Sequence, residues 1–257
     1  MSSIKLEIFM KNTTWDNFII ARKHYRSETQ ALFLKMPELQ IFQQKLINSR
    51  IPSYALETPV VYNKALDDIC LDSEIKMILV ADNPGRREQE AGNCRYLVGN
   101  SGKIAEKFFR DNPVLGMDFR KNVIILNKTP VHTPRTGELR DLCRIGGTGL
   151  KAAIDQSQRM MAGLLLEFHK ALNSGGNAVP VWITGYSEMK KGGIFEAYTN
   201  ELKEIYKGAK LRENIFLYRH FSMNQFTIDL KRQAAAGEPL AETLLRIGAA
   251  YRQKFLW

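Results

Sequence analysis

The stretch IKMILVADNPGRREQEAGNCRYLVGNSGKIAEKFF, residues Ile75–Phe109, decides the fold. Met77-Ile78-Leu79-Val80 is an apolar run that reads as a buried strand over about residues 75–81. It ends in Ala81-Asp82-Asn83-Pro84-Gly85, and a basic, glycine-bearing loop follows. The chain then enters a helix over 101–111, opening at Ser101 with Ile104, Phe108 and Phe109 on one face. Strand, loop and helix in that order form the repeating unit of a parallel α/β sheet. In such sheets ligands bind outside the carboxyl ends of the strands, which is where Asp82 and Asn83 stand.

The alternation continues downstream. A second strand, Asn122–Asn127, leads through a loop rich in Pro, Thr and Gly to a helix over 150–173. That helix places Ile154, Met161, Leu164, Leu165, Phe168 and Leu172 on a wide apolar face and stops at Ser174-Gly175-Gly176. A third strand (Val179–Thr184), a helix over 194–206, a fourth strand (Asn214–Tyr218) and helices from about Phe226 to Ala235 and Pro239 to Phe255 complete the pattern. Continuous apolar strands separated by helices predict a three-layer α/β/α fold around a central four-stranded, mainly parallel sheet. Residues 1–50 read as three helical pieces: Trp15 to His24, a second opened by a capping box at Ser27-x-x-Gln30, and a third restarted at Pro37. Residues 51–74 read as mostly loop with a short helix.

The chain has 257 residues, enough for one large α/β domain with a full core. No apolar run approaches the roughly 18 residues that span a bilayer, and the first residues lack the apolar segment of a signal peptide. A cytoplasmic monomer is expected. The three cysteines, Cys70, Cys94 and Cys143, form no CxxC pair, so neither a structural zinc nor a Cys₄ cluster is expected, nor any other cofactor. The net charge of +10 favours a polyanionic partner.

Three strand ends carry polar residues. The first gives Asp82 and Asn83, the second Asn127 followed by Lys128, Thr129 and His132, and the fourth His220, Ser222 and Asn224. Carboxamides both donate and accept, so together with histidine they can match the edge of a planar heterocycle. Each residue alone also has a structural explanation: a loop cap, a satisfied core histidine, or ordinary Asn-Pro-Gly turn chemistry. Their common placement favours a site.

These residues resemble the motifs of the uracil-DNA glycosylase superfamily over about residues 75–226. Ala81-Asp82-Asn83-Pro84-Gly85 is similar to its first motif. Arg86-x-Glu88 and Tyr96-Leu97-Val98-Gly99-Asn100-Ser101-Gly102-Lys103 resemble the loop of the thermophile-associated fourth family. Val123 to Asn127 resembles the strand whose last Asn reads the base, and His220-Phe221-Ser222-Met223-Asn224 resembles the HPS motif. Asn83-Pro84-Gly85 itself is closer to the mismatch-specific and single-strand-selective branches, where that Asn positions water. The chain departs at Ala81 for a glycine, Phe221 for the HPS proline and Leu97 for the stacking aromatic, and it lacks the four cluster cysteines.

The resemblance implies a single glycosylase-like domain with a helical extension over 1–74 and an added helix over 239–257. It implies a base-excision DNA-repair hydrolase acting on uracil or another deaminated base. Asn83, Asp82 and His220 would be catalytic: Asn83 holding water, Asp82 activating it or supporting the sugar cation, His220 donating to the leaving base. Asn127 would read the base edge, and Tyr96 or Leu97 would form the stacking wall. Gly85, Ser101 and Ser222 would meet phosphates, Arg86 and Lys128 would add electrostatic binding, and Met223 or Asn224 would fill the vacated stack. Two other readings stay open: a member that binds DNA without chemistry, and an α/β enzyme acting on a small nucleotide.

Overall fold

The computed structural model describes residues 3–49, 52–176 and 178–257. The expected N-terminal helical stretch therefore reaches beyond the described residues at 1, 2 and 50, as does the expected loop at 51. Four strands form the sheet: β1 (Met77–Ala81), β2 (Val123–Asn127), β3 (Val181–Thr184) and β4 (Ile215–Tyr218). All pairs are parallel, in the order β2-β1-β3-β4. Every strand residue is buried, which is why the strands read as unbroken apolar runs.

The two sheet faces take alternate residues. Ile78, Val80, Ile124, Leu126, Ile183 and Leu217 join one core with the helices α1 (Ser3–Lys35), α2 (Leu39–Asn48), α4 (Glu138–Asn173) and α5 (Glu196–Ile205). Met77, Leu79, Val123, Ile125, Trp182 and Phe216 join the other with α3 (Asn100–Asp111), α6 (Gln225–Gln233) and α7 (Leu240–Phe255). The fold is thus an α/β protein with an all-parallel four-stranded sheet between two helical layers. After β1 the chain crosses to the α3 layer and joins β2; after β3 it crosses to the α5 layer and joins β4. The carboxyl ends of neighbouring β1 and β3 therefore flank the crevice where the winding reverses, the favoured ligand position in such sheets.

Two expectations need correction. The first two N-terminal pieces are one helix: Phe18, Ala21, Tyr25 and Leu32 are buried at helical spacing straight through Ser27, which is exposed. Ser27-x-x-Gln30 has no break before it to cap. The helix ends at Lys35, ahead of Pro37, as proline requires. The loop expected ahead of residue 150 is helical from Glu138, and this added segment joins the expected helix across a kink at Gly147 (φ 69°, ψ −163°) that only glycine adopts freely. No described helix is long and apolar enough to cross a membrane.

Candidate active site

A cavity of about 650 Å³ opens at the carboxyl ends of β1 and β3, and Asp82, Asn83, Leu97, Ser101, His220 and Ser222 all line it. The residues from the first and last expected motifs, 137 positions apart at Asn83 and His220, therefore meet in one place.

Asp82 is buried at the end of β1. Its Oδ1 accepts from Lys128 Nζ at 2.6 Å and its Oδ2 from the Thr136 hydroxyl at 3.2 Å. Lys128 also donates to the Thr184 carbonyl at 2.6 Å and lies 4.8 Å from the centre of the Phe195 ring. Its side chain is 0% exposed, so Lys128 is an internal partner of Asp82 and not the DNA-facing cation expected from sequence. Burial pulls the Lys128 pKa down, with the Asp82 carboxylate opposing it. Gly185, after β3, makes room for this pair: a Cβ there would lie 2.6 Å from Asp82 Oδ1.

Asn83 is oriented by its amide nitrogen, which donates to the Thr133 hydroxyl at 2.9 Å. The Thr133 hydroxyl in turn donates to the Arg135 carbonyl at 2.9 Å. The Asn83 Oδ1 is then the amide atom left to accept. The loop carrying Asn83 is braced from behind by His132, which is fully buried. Its Nδ1 lies 2.8 Å from the Pro84 carbonyl and its Nε2 2.8 Å from the Tyr54 hydroxyl. A carbonyl can only accept, so the neutral ring is protonated on Nδ1, and burial lowers its pKa to about 4. Arg86 then lies over the Tyr54 ring, 4.8 Å from its centre.

His220 has the opposite tautomer. Its Nδ1 accepts the Ser222 backbone N–H at 2.9 Å, which leaves the proton on Nε2. Burial lowers the His220 pKa; Asp82 raises it and Lys128 lowers it further. The ring is thus a neutral donor at neutral pH. Phe221, where a proline was expected, is buried and stacks on Phe226 at 4.4 Å, anchoring the turn to the aromatic core. Beyond it Met223 and Asn224 take positive φ (53° and 58°), and Met223 is 83% exposed.

Leu97 lines the cavity, with φ 53°; Tyr96 does not. Tyr96 is buried, donating to the Val61 carbonyl at 2.6 Å and pairing with the Tyr25 hydroxyl at 2.7 Å, so it is a core residue, and of the two expected wall residues only Leu97 lines the cavity. The Gly85 N–H is committed to Glu88 Oε2 at 3.2 Å and the Ser222 N–H to His220, so neither N–H is available to a phosphate as expected. Asn127 is 1% exposed, pairs in register with the cavity residue Ala81, and lies off the cavity wall. Neither its Oδ1 nor its Nδ2 has a partner among the described residues. An unpaired buried carboxamide costs about 1–3 kcal/mol.

The rim holds residues that sequence reading missed. Arg87 and Arg135 join Arg86 as exposed lining residues, and none of the three forms an ion pair among the described residues. Arg135 sits in the Pro-Thr-Gly loop after β2, whose composition signalled a loop and nothing about its direction. Ser101 lies in the first turn of α3, whose N-cap Gly99 supplies no capping side chain. Among the described residues no three His, Cys, Asp or Glu side chains gather as a metal site. No protein-family model and no curated protein matches the chain.

Proposed function

We propose that the chain is a DNA glycosylase hydrolysing the N-glycosidic bond of uracil or another deaminated base. The observation that carries this reading is the placement of a neutral histidine donor, His220 Nε2–H, on the same cavity as the Asp82 carboxylate and the Asn83 carbonyl. Departure of the base leaves positive charge on the sugar and negative charge on the base, and preorganised groups of both signs lower that barrier.

The target base is flipped from the DNA into the cavity. As the C1′–N bond breaks, its electron pair moves to the base, where His220 donates to the base oxygen. Asp82 supports the sugar cation. Its two oxygens already accept from Lys128 and Thr136, so water is held by Asn83 Oδ1 and attacks C1′, and the water's proton ends on the departing base or in solvent. Leu97 packs against the base. Arg86, Arg87 and Arg135, which form no ion pair among the described residues, and the α3 N-terminus at Ser101 meet backbone phosphates. Met223, exposed and apolar, is the side chain suited to fill the vacated stack.

One observation favours the second reading, DNA binding without chemistry: Asn127, the expected reader of the base edge, stands off the cavity wall. Purified protein is incubated with duplex and single-stranded oligonucleotides carrying uracil, hypoxanthine, xanthine or a G:T mismatch, followed by alkaline cleavage of abasic sites. Strand cleavage supports the glycosylase. Salt-dependent binding without cleavage replaces it with the second reading. Affinity for free nucleotides alone replaces both with a small-molecule enzyme.

A further inference from the structure

Glu88 is a buried carboxylate on the cavity that the proposed reaction does not use. It lies between two walls. On one side its Oε2 accepts the Gly85 N–H at 3.2 Å, and its own N–H donates to the Gly85 carbonyl at 3.1 Å. On the other side the backbone N–H groups of Leu97 and Val98 face the same carboxyl. Successive N–H groups around a positive-φ residue form a concave nest for an anion.

Leu97 needs such support. Its φ of 53° is unfavourable for a leucine. Arg120 donates to its carbonyl at 2.8 Å, and Gly102 leaves the space that carbonyl fills, since a Cβ at 102 would lie 1.5 Å from it. The N–H side of the same strained peptide faces the Glu88 carboxyl, whose Oε2 accepts from Gly85.

We propose that Glu88 is a positioning residue that latches the Gly85 wall to the Leu97–Val98 wall and so sets the width of the slot between them. That the slot takes a base rests on the glycosylase reading; the latch itself does not. The charged and titratable groups facing Glu88 are Arg120, itself paired with Glu106 at 3.1 Å, and the Tyr96 phenol. Burial outweighs the N–H groups and Arg120 and pushes the carboxyl up to about 7. Opening the walls returns it to water and to the ordinary carboxylate range. Rising pH through neutrality therefore favours the open slot.

The test is amide hydrogen exchange on the full chain between about pH 6 and pH 8.5, corrected for intrinsic rates, in wild type, Glu88→Gln and Glu88→Ala. The expected result is that protection at residues 85–86 and 97–98 falls about tenfold with rising pH in wild type, one pKa unit of coupling. In Glu88→Gln it stays high and flat, and in Glu88→Ala it is low throughout. Amides of α7 serve as the control for global unfolding. A wild-type profile matching Glu88→Gln, or full protection in Glu88→Ala, overturns the latch. If no oligonucleotide is cleaved by any of the three proteins, the glycosylase reading fails, and the exchange data still decide the latch.

Discussion

Lys128 Nζ lies 2.6 Å from Asp82 Oδ1 with no exposure to solvent, so the carboxylate at the end of β1 is one half of a buried ion pair. Removing one member strands the other as an uncompensated buried charge. Lys128→Met is expected to destabilise the protein by about 3–5 kcal/mol, and Lys128→Met with Asp82→Asn by clearly less. Urea denaturation of the two single variants and the double variant measures this; additive losses would show that the pair is not coupled.

Asn83 and Asp82 divide the proposed chemistry. Asn83→Ala is expected to lower the single-turnover rate about 10²-fold or more with oligonucleotide affinity retained. Asp82→Asn removes the charge supporting the sugar cation and is expected to lower it by a similar or greater factor. Wild-type rates in both variants would refute the assignment.

The pH dependence of cleavage has two limbs. His220 Nδ1 accepts the Ser222 N–H only while the ring is neutral, so protonation below its burial-lowered pKa breaks the bond that orients the ring and activity falls on the acid side. Glu88 sets the alkaline side, where activity falls as the pH rises through about 7. Glu88→Gln is expected to remove the alkaline limb and leave the acid one. An alkaline limb unchanged in that variant would dissociate Glu88 from the slot.

Glu88 also shapes stability. Its folded pKa is raised from 4.5 to about 7. The folded state therefore holds the proton more tightly, and stability is lost as the pH rises through that window. Glu88→Gln is expected to match wild type near pH 4.5 and to exceed it at pH 8 by up to about 3 kcal/mol. Thermal or urea unfolding at the two pH values checks the sign.

Among the described residues the three rim arginines have no acidic partners to satisfy first. Alanine at Arg86, Arg87 or Arg135 is expected to reduce the slope of log affinity against log salt by about one each, with stability unchanged at Arg87 and Arg135. Slopes that stay at the wild-type value would place the DNA elsewhere.

The sequence by itself determined the sheet and the two ends of the site. Apolar runs such as Met77 to Val80 and Val123 to Leu126 can only be covered on both faces, and that forces parallel strands with helices between them. Asp82, Asn83 and His220 were legible because polar residues at strand ends have one place to go. What only the tertiary structure decided is which side chains look inward. Lys128 follows Asn127 directly, yet its partner is Asp82, 46 residues away, and that contact turns a surface cation into a buried one. Of Tyr96 and Leu97, the two alternatives for the wall, only Leu97 lines the cavity, because the Tyr25 and Val61 contacts draw the phenol into the core. Glu88 gained its meaning from Leu97 and Val98 across the slot. Burial and hydrogen-bond partners are properties of what the fold brings together, and local pattern carries no record of them.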